Sequence, residues 1–200
     1  MTVSTIGVAD ASSPDKYLHT NQRTISSTAR EDQYVLQGEG AYPTYVARAG
    51  GVSVATANDH LLQIMGDGSN YSRIKSISVY PAAATSAGSI RVILLRLSTA
   101  GTGGSSVTLA PFDTADTYGG GAMALPSSKG TEGVTLLSWS MHIPTSSSAG
   151  MTPYIWTPRP GMKPIIFGTA TSNGIALKVI TAATGGTVDA MVEFTTTSYL

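Results

Sequence analysis

A series of short strand-like segments, separated by glycine-rich turns, is the feature that most limits how this chain can fold. Residues 188–196 give the clearest example, since Val188, Ala190, Val192 and Phe194 alternate with mostly polar neighbours. A period of two is typical of a β-strand with one buried face. Similar patterns predict strands at residues 44–47, 52–57, 61–65, 72–80, 89–97, 106–110, 134–143, 164–168, 175–181 and 188–196.

The segments between these strands have the composition of turns. Runs such as Gly119-Gly120-Gly121 and Ser172-Asn173-Gly174 supply positive φ angles at little cost. Residues 145–160 carry three prolines and predict a long loop or an edge element. Because the sequence has neither a convincing amphipathic helix nor a repeat of fixed period, it predicts an all-β sandwich or barrel rather than a propeller.

The first 41 residues differ from the rest because large apolar residues are sparse and no period persists. We predict an extended N-terminal arm over residues 1–41, with one short strand at residues 33–37, followed by a β domain over residues 42–200. A segment with so little apolar surface orders on a partner, and a tail without a role is the alternative. Tyrosine and arginine suit such contacts. The predicted contact residues of the arm are Tyr17, Arg23, Arg30 and Tyr34.

Charge is unusually scarce in this chain. Twelve basic and twelve acidic residues give a formal net charge of 0, and 12% of residues are charged, whereas average soluble domains have about 25%. With 42% hydrophobic residues, the chain either hides much of its surface against partners or covers it with serine, threonine and glycine, and the two are compatible. Phosphate recognition needs a basic patch, and none occurs, so we expect no nucleic-acid partner.

The compartment is constrained by three further absences from the sequence. Since there is no cysteine, disulfides and thiolate metal sites are excluded, which suits synthesis in a reducing cytosol. The longest uninterrupted aliphatic run, residues 92–95, is far too short to span a membrane. The N-terminus lacks a basic region followed by an apolar stretch, so we expect no signal peptide.

Residues that could carry chemistry are few and scattered. The sequence contains three histidines, His19, His60 and His142, but no Gly-x-Ser-x-Gly motif of the kind that holds the nucleophilic serine of a hydrolase. The Asp113 and Asp116 pair is expected to make Asx turns rather than a cation or catalytic site. Residues 67–70 faintly resemble a calcium loop, but the closing glutamate is missing, so we predict a hairpin turn. We therefore predict no catalytic residue, no metal, no cofactor and no enzymatic activity.

The two tryptophans have different expected roles. Trp139 alternates with Leu137 and Met141, which predicts a core position. Tyr154 and Trp156 lie in the proline-rich segment, where they are candidates for a subunit contact, a plug over one end of the sandwich or a ligand platform, in that order.

Several strand and turn segments also resemble a known group of proteins, over roughly residues 60–197. They are His60-Leu61-Leu62-Gln63-Ile64, Arg73-Ile74-Lys75-Ser76-Ile77-Ser78-Val79, the run at residues 94–104, Pro111-Phe112-Asp113-Thr114-Ala115-Asp116, Lys163-Pro164-Ile165-Ile166 and Gly174-Ile175-Ala176-Leu177. In this order they resemble a family of tailed-phage virion proteins with jelly-roll folds, among them capsid decoration (cement) proteins. The arm matches nothing in that family.

The resemblance implies a binding role and a location. Cement proteins sit outside the phage head, often as trimers, and clamp neighbouring copies of the major capsid protein. We therefore expect a β-sandwich of jelly-roll type with an extended arm, a trimeric assembly, and a place in the virion after synthesis in the host cytoplasm. A tail or head-fibre component that binds a receptor or carbohydrate is the second hypothesis, a free carbohydrate-binding module the third and an enzyme the last.

Overall fold

The computed structural model describes residues 3–7, 17–25, 28–33, 42–82, 84–145 and 152–198. By its internal contacts the chain divides into two units, Met1–Ala41 and Tyr42–Leu200. The described residues contain strands and turns but no helix. Accordingly, the described part of the chain contains no helix with the length and apolar character needed to cross a membrane.

The first unit contains an antiparallel sheet of three strands in the order β1-β2-β3. Their bounds are Val3–Gly7 for β1, Tyr17–Ile25 for β2 and Thr28–Gln33 for β3. The sequence predicted one short strand at residues 33–37, of which residue 33 ends β3 and residues 34–37 lie outside the described residues. Polar residues dominate β2 and β3, so the apolar alternation that reveals strands elsewhere is missing here.

The second unit contains twelve strands among its described residues. They are β4 (Thr44–Ser53), β5 (His60–Met65), β6 (Tyr71–Pro81), β7 (Gly88–Leu97), β8 (Ser105–Ser106), β9 (Leu109–Pro111), β10 (Ala122–Ala124), β11 (Glu132–Ile143), β12 (Tyr154–Trp156), β13 (Ile166–Phe167), β14 (Gly174–Thr181) and β15 (Thr187–Thr197).

These strands form two antiparallel sheets. Sheet A has the order β11-β7-β14-β5-β10-β8, and sheet B has the order β12-β6-β15-β4-β9, with β13 also paired to β6. The principal pairs nest along the chain: β4 with β15, β5 with β14, β6 with β12 and β13, and β7 with β11. A ribbon of nested antiparallel pairs rolled into two sheets is a jelly roll, and the predicted fold class is confirmed.

Alternation along the strands places the core between the sheets. Val188, Ala190, Val192 and Phe194 on β15 are all fully buried, as their spacing predicted. The predicted core position of Trp139 is also confirmed, with 8% of the residue exposed. The core contains an aromatic cluster, in which the Phe194 ring contacts the rings of Tyr45, Tyr118 and Phe167 at centroid distances of 5.6, 5.1 and 6.1 Å.

Strand existence was predicted better than strand bounds. Predicted segments 44–47 and 52–57 belong to one strand, β4, followed by a loop. The predicted strand at residues 106–110 is instead split between β8 in sheet A and β9 in sheet B. Within the proline-rich segment, β12 pairs with β6 and forms one edge of sheet B. Of the two predicted alternatives, a long loop or an edge element, the edge element is confirmed.

A long connection between β7 and β11, residues 98–131, is named the strap here. Its two ends pair with each other through Ser98 N to Thr131 O at 3.0 Å and through the Thr102–Ser128 bridge. Further along, β10 extends sheet A beyond β5, and β9 extends sheet B beyond β4. The strap therefore adds outer strands to both sheets.

Removing the central ring should unfold the domain more readily than any surface change. We expect Phe194→Ala to lower the free energy of unfolding by about 3–5 kcal/mol, because a large buried side chain leaves a cavity among three other rings. Urea denaturation followed by tryptophan fluorescence measures the change. Glu193→Ala, one residue away on the other face of β15, is the matched control and should change stability by about 0.5 kcal/mol or less. Equal losses in both variants would contradict this account of the core.

Candidate functional site

A hydrogen-bonded polar network joins sheet A to the strap. The imidazole of His60, the first residue of β5, is fully buried. Its Nε2 lies 2.9 Å from Glu132 Oε1, and its Nδ1 lies 2.6 Å from Gln63 Nε2. Gln63 Oε1 in turn accepts a hydrogen bond of 3.0 Å from the Gly101 backbone N–H in the strap.

These partners fix the position of every proton in the chain of contacts. Because the Gly101 N–H can only donate, the oxygen of the Gln63 amide must face it. The amide nitrogen of Gln63 then donates to Nδ1 of His60, which leaves the imidazole proton on Nε2, donated to Glu132. The network thus requires a neutral histidine with its proton on Nε2.

Ion pairs surround the network. Lys178 on β14 donates to both oxygens of Glu132, at 2.9 and 2.7 Å, and Lys129 lies 3.2 Å from Asp59. Burial lowers the pKa of His60, against the opposing effect of its hydrogen bond to Glu132. Burial acts to raise the pKa of Glu132, but hydrogen bonds from Lys178 and His60 outweigh it and lower that pKa overall.

The geometry of this network suits a structural role and not catalysis. Both ring nitrogens of His60 are engaged, and neither faces a serine or threonine hydroxyl that it could activate. Gly101 is placed tightly, since a Cβ there would lie 2.8 Å from both Gln63 Nε2 and Ser128 O. The network therefore fastens the strap to β5, β11 and β14.

Sequence analysis missed this network because its members are distant in the chain. A signal was available in β5, where all six residues are buried although His60 and Gln63 are polar. A strand that buries both faces must satisfy its polar side chains internally. The identity of the partners follows only from the fold, which brings residues 60, 101, 132 and 178 together.

The carboxylates considered as cation or catalytic candidates make turns. Asp113 Oδ1 accepts from the Ala115 N–H at 3.0 Å. Asp67 Oδ1 accepts from the backbone N–H groups of Ser69 and Asn70 at 2.8 and 2.6 Å, so residues 67–70 form a turn. The predicted hairpin is wrong, because this turn joins β5 of sheet A to β6 of sheet B, and these two strands do not pair with each other. Within the described ranges, no group of three or more histidine, aspartate or glutamate side chains could hold a metal ion.

The aromatic residues of the proline-rich segment lie on the inner side of β12. Tyr154 and Trp156 are half-buried against the core, and Tyr154 stacks on Trp139 with ring centroids 4.1 Å apart and planes 7° from parallel. This stack joins β11 of sheet A to β12 of sheet B. The outward residue is Ile155, which is 56% exposed. A subunit or ligand contact through Tyr154 and Trp156 stays a prediction. Their packing against the core is similar to the other predicted role, a plug over one end of the sandwich.

The predicted contact residues of the arm fall on its sheet. Tyr17 and Arg23 belong to β2, and Arg30 belongs to β3, whereas Tyr34 lies outside the described residues. Arg23 and Arg30 are register partners in the β2–β3 pair. The structure brings these two positions together, and their role in binding stays a prediction.

Comparison of the chain with protein-family models, with curated proteins and with solved structures found no match.

The network predicts that acid weakens the domain. Since the pKa of His60 is lower in the folded chain than its ordinary 6.5, the unfolded chain binds this proton first, and stability is lost as pH falls below about 6.5. The lowered pKa of Glu132 adds a loss in the same direction below about 4.5. We expect the urea midpoint to fall steadily between pH 7.5 and 5.

Two histidine variants separate this effect from a general one. His60→Gln should be less stable at pH 7.5 but should lose the dependence on pH between 7 and 5.5. His142→Gln, a substitution of an exposed histidine on β11, should keep the dependence of the unmodified chain. If His60→Gln retains the full dependence, His60 is not its source.

Proposed function

We propose that this chain is a non-enzymatic virion structural protein that attaches to the outside of a tailed-phage head and stabilises the capsid. In this proposal it is a decoration (cement) protein that assembles as a homotrimer and has the major capsid protein as its partner. It needs no cofactor, nucleic acid or membrane. The observation that carries the proposal is a jelly-roll domain attached to a separate, strand-forming N-terminal unit.

The division into two units supports a clamp. A domain with its own core keeps its shape whatever the arm binds, so the arm is available for another molecule. Several arms in one oligomer bind together, and linked weak contacts increase overall affinity by orders of magnitude. Arg23 and Arg30 are register partners on the β2–β3 pair, and two neighbouring basic positions suit an acidic surface on the capsid partner.

The surface of the domain also suits assembly. Few charges are available for a solvated surface, and several large apolar residues outside the core are more than half exposed. They are Phe112 at 66%, Val134 at 66%, Ile155 at 56% and Met162 at 53%. Contacts built from such residues and from backbone groups depend little on salt.

A tail or head-fibre component that binds a receptor or carbohydrate is the alternative. Phe112 favours it, because this ring is exposed beside the Asp113 turn in the strap, where it could stack on a sugar. In that case the protein would be present in few copies, and its binding would depend on the strap rather than on the arm.

The copy number in purified particles tests the proposal against its alternative. Quantitative mass spectrometry against the major capsid protein should give a ratio of one or a simple fraction, because cement proteins occupy repeated positions of the shell. A few copies per particle would support the fibre alternative. Complete absence of the chain from particles would exclude both.

Deletion of residues 1–41 should separate folding from attachment. We expect residues 42–200 to keep the melting temperature of the domain but to lose binding to undecorated capsids, measured by co-sedimentation. The full chain with Arg23→Ala and Arg30→Ala should bind at least tenfold more weakly. Lys75→Ala with Lys163→Ala removes two exposed charges of the domain as the matched control and should bind normally. Attachment by the truncated chain would disprove the clamp.

A further inference from the structure

We propose that the free edge of sheet A is a self-association surface, on which β11 pairs with β11 of a second copy of this chain around a two-fold axis at Ser140. Among the described strands, β11 pairs with β7 on one side and with no strand on the other. Its outer backbone N–H and C=O groups therefore form an open template for another strand.

The other edges of the two sheets are too short or too protected for this role. β8 has two residues, and β9 has three, the last of which is Pro111. β12 also has three residues and lies between Pro153 and Pro158. By contrast β11 has twelve residues. Short strands and prolines are the usual protection of an edge, so β11 is the exception that needs a partner.

The part of β11 that is suited to pairing is regular and uncharged. Register shifts interrupt the ladder between Glu132 and Leu137, but Leu137 to Ile143 pair with β7 without interruption. This stretch, Leu137-Ser138-Trp139-Ser140-Met141-His142-Ile143, contains no proline, lysine, arginine or carboxylate. Natural proteins place such residues on edges that must stay unpaired, and their absence here favours an edge that is covered in the assembled protein.

The same stretch is complementary to itself. Its midpoint is Ser140, and antiparallel pairing about that residue sets Ser138 opposite His142 and Trp139 opposite Met141. The outward side chains, Ser138, Ser140 and His142, are small or polar, and all three residues are exposed. On the inner face a thioether meets an aromatic ring, which is a favourable contact. A two-fold contact requires this self-complementarity, whereas binding of an unrelated strand does not.

The surface around the β11 edge is also suited to a second copy of this chain. Val134 on β11 and Ile155 on β12, two of the most exposed large apolar residues of the domain, lie on the two edge strands that the Trp139–Tyr154 stack joins. A groove of about 330 Å³ lies against the strand, between Ser140 and His142 on one side and Thr152 and Pro153 on the other. Among the residues that the structure describes, no strand covers this edge, and apolar side chains border it.

This contact is independent of capsid attachment. A two-fold contact joins copies in pairs and cannot by itself close a trimer, so a trimer would need another surface. Chains that form both contacts would assemble in even numbers. The mass of the purified full chain therefore tests the edge contact without any capsid. A trimer would contradict the edge contact and leave the proposed function standing, whereas a monomer would contradict both.

The test is the mass of the full chain by light scattering and by sedimentation equilibrium. We expect a dimer, or a larger even number of copies, at micromolar concentration. Ser140→Lys should weaken pairing at least about fivefold, because it sets two lysines opposite each other at the axis. Arg91, the register partner of Ser140 on β7, adds to this positive charge. Ser106→Lys on the β8 edge is the matched control and should leave the mass unchanged.

A mixing experiment distinguishes lost pairing from a folding defect. Ser140→Lys and Ser140→Asp should each dissociate to the smaller species, and an equimolar mixture should recover the larger one, since lysine then faces aspartate. The proposal would be overturned if the unmodified chain were monomeric at 100 µM. That concentration is about 100-fold above a micromolar dissociation constant, so a dimer of that affinity would be nearly fully formed. A mass that Ser140→Lys does not change, or a mixture that fails to recover, would overturn it as well.

Discussion

The fold depends on its last two strands, because each is an interior strand that joins two other strands of its sheet. β15 lies between β4 and β6 in sheet B, and β14 lies between β5 and β7 in sheet A. Neither sheet has a continuous ladder until residues 174–197 are in place. Their pairing with the first strands of the domain closes the longest loops in the chain, and such pairing is slow because loop entropy is lost before contacts are gained. The jelly roll is therefore completed only when its last two strands pair with the earlier ones.

The strap covers two strand edges that this topology leaves unpaired. An eight-stranded roll leaves β4 and β5 as edges on the side away from β11 and β12, and the strap covers them with β9 and β10. A long connection of this kind needs anchors, since most of its residues are exposed. The structure supplies two: Tyr118 packs into the aromatic cluster, and Gly101 bonds to the network of Gln63, His60 and Glu132. The β4 and β5 edges are thus covered by the chain's own strap, whereas β11 has no second partner among the described strands.

The sequence predicted those parts of the molecule that follow from local periodicity. β15 buries the four residues that its alternation indicated, and the turns at Asp67 and Asp113 use the side-chain hydrogen bonds that their composition favours. Most of the missed features lack a local signal. β10 has three residues, the strands of the arm are polar, and the buried position of His60 does not reveal its partner Glu132, which lies 72 positions away along the chain. The prediction that Tyr154 and Trp156 make contacts rested on their place in a proline-rich segment and stays a prediction. The sequence did not show that the register of β12 turns Ile155 outward.

The small number of charged residues bears on both the solubility of the chain and the protection of its strand edges. A free monomer remains soluble through charged surface and protects its edges with lysine, glutamate or proline. This chain has few charges, and the regular part of β11 has none. The charged side chains that surround sheet A are used within the molecule: Lys178 and Glu132 hold the strap, and Arg91 donates to Ser138 at 3.0 Å. These charges thus help to fix the fold, and in our proposal the uncharged edge and the exposed apolar residues serve association. The arm binds a different molecule in our proposal, so attachment and self-association use separate parts of the chain and can vary independently.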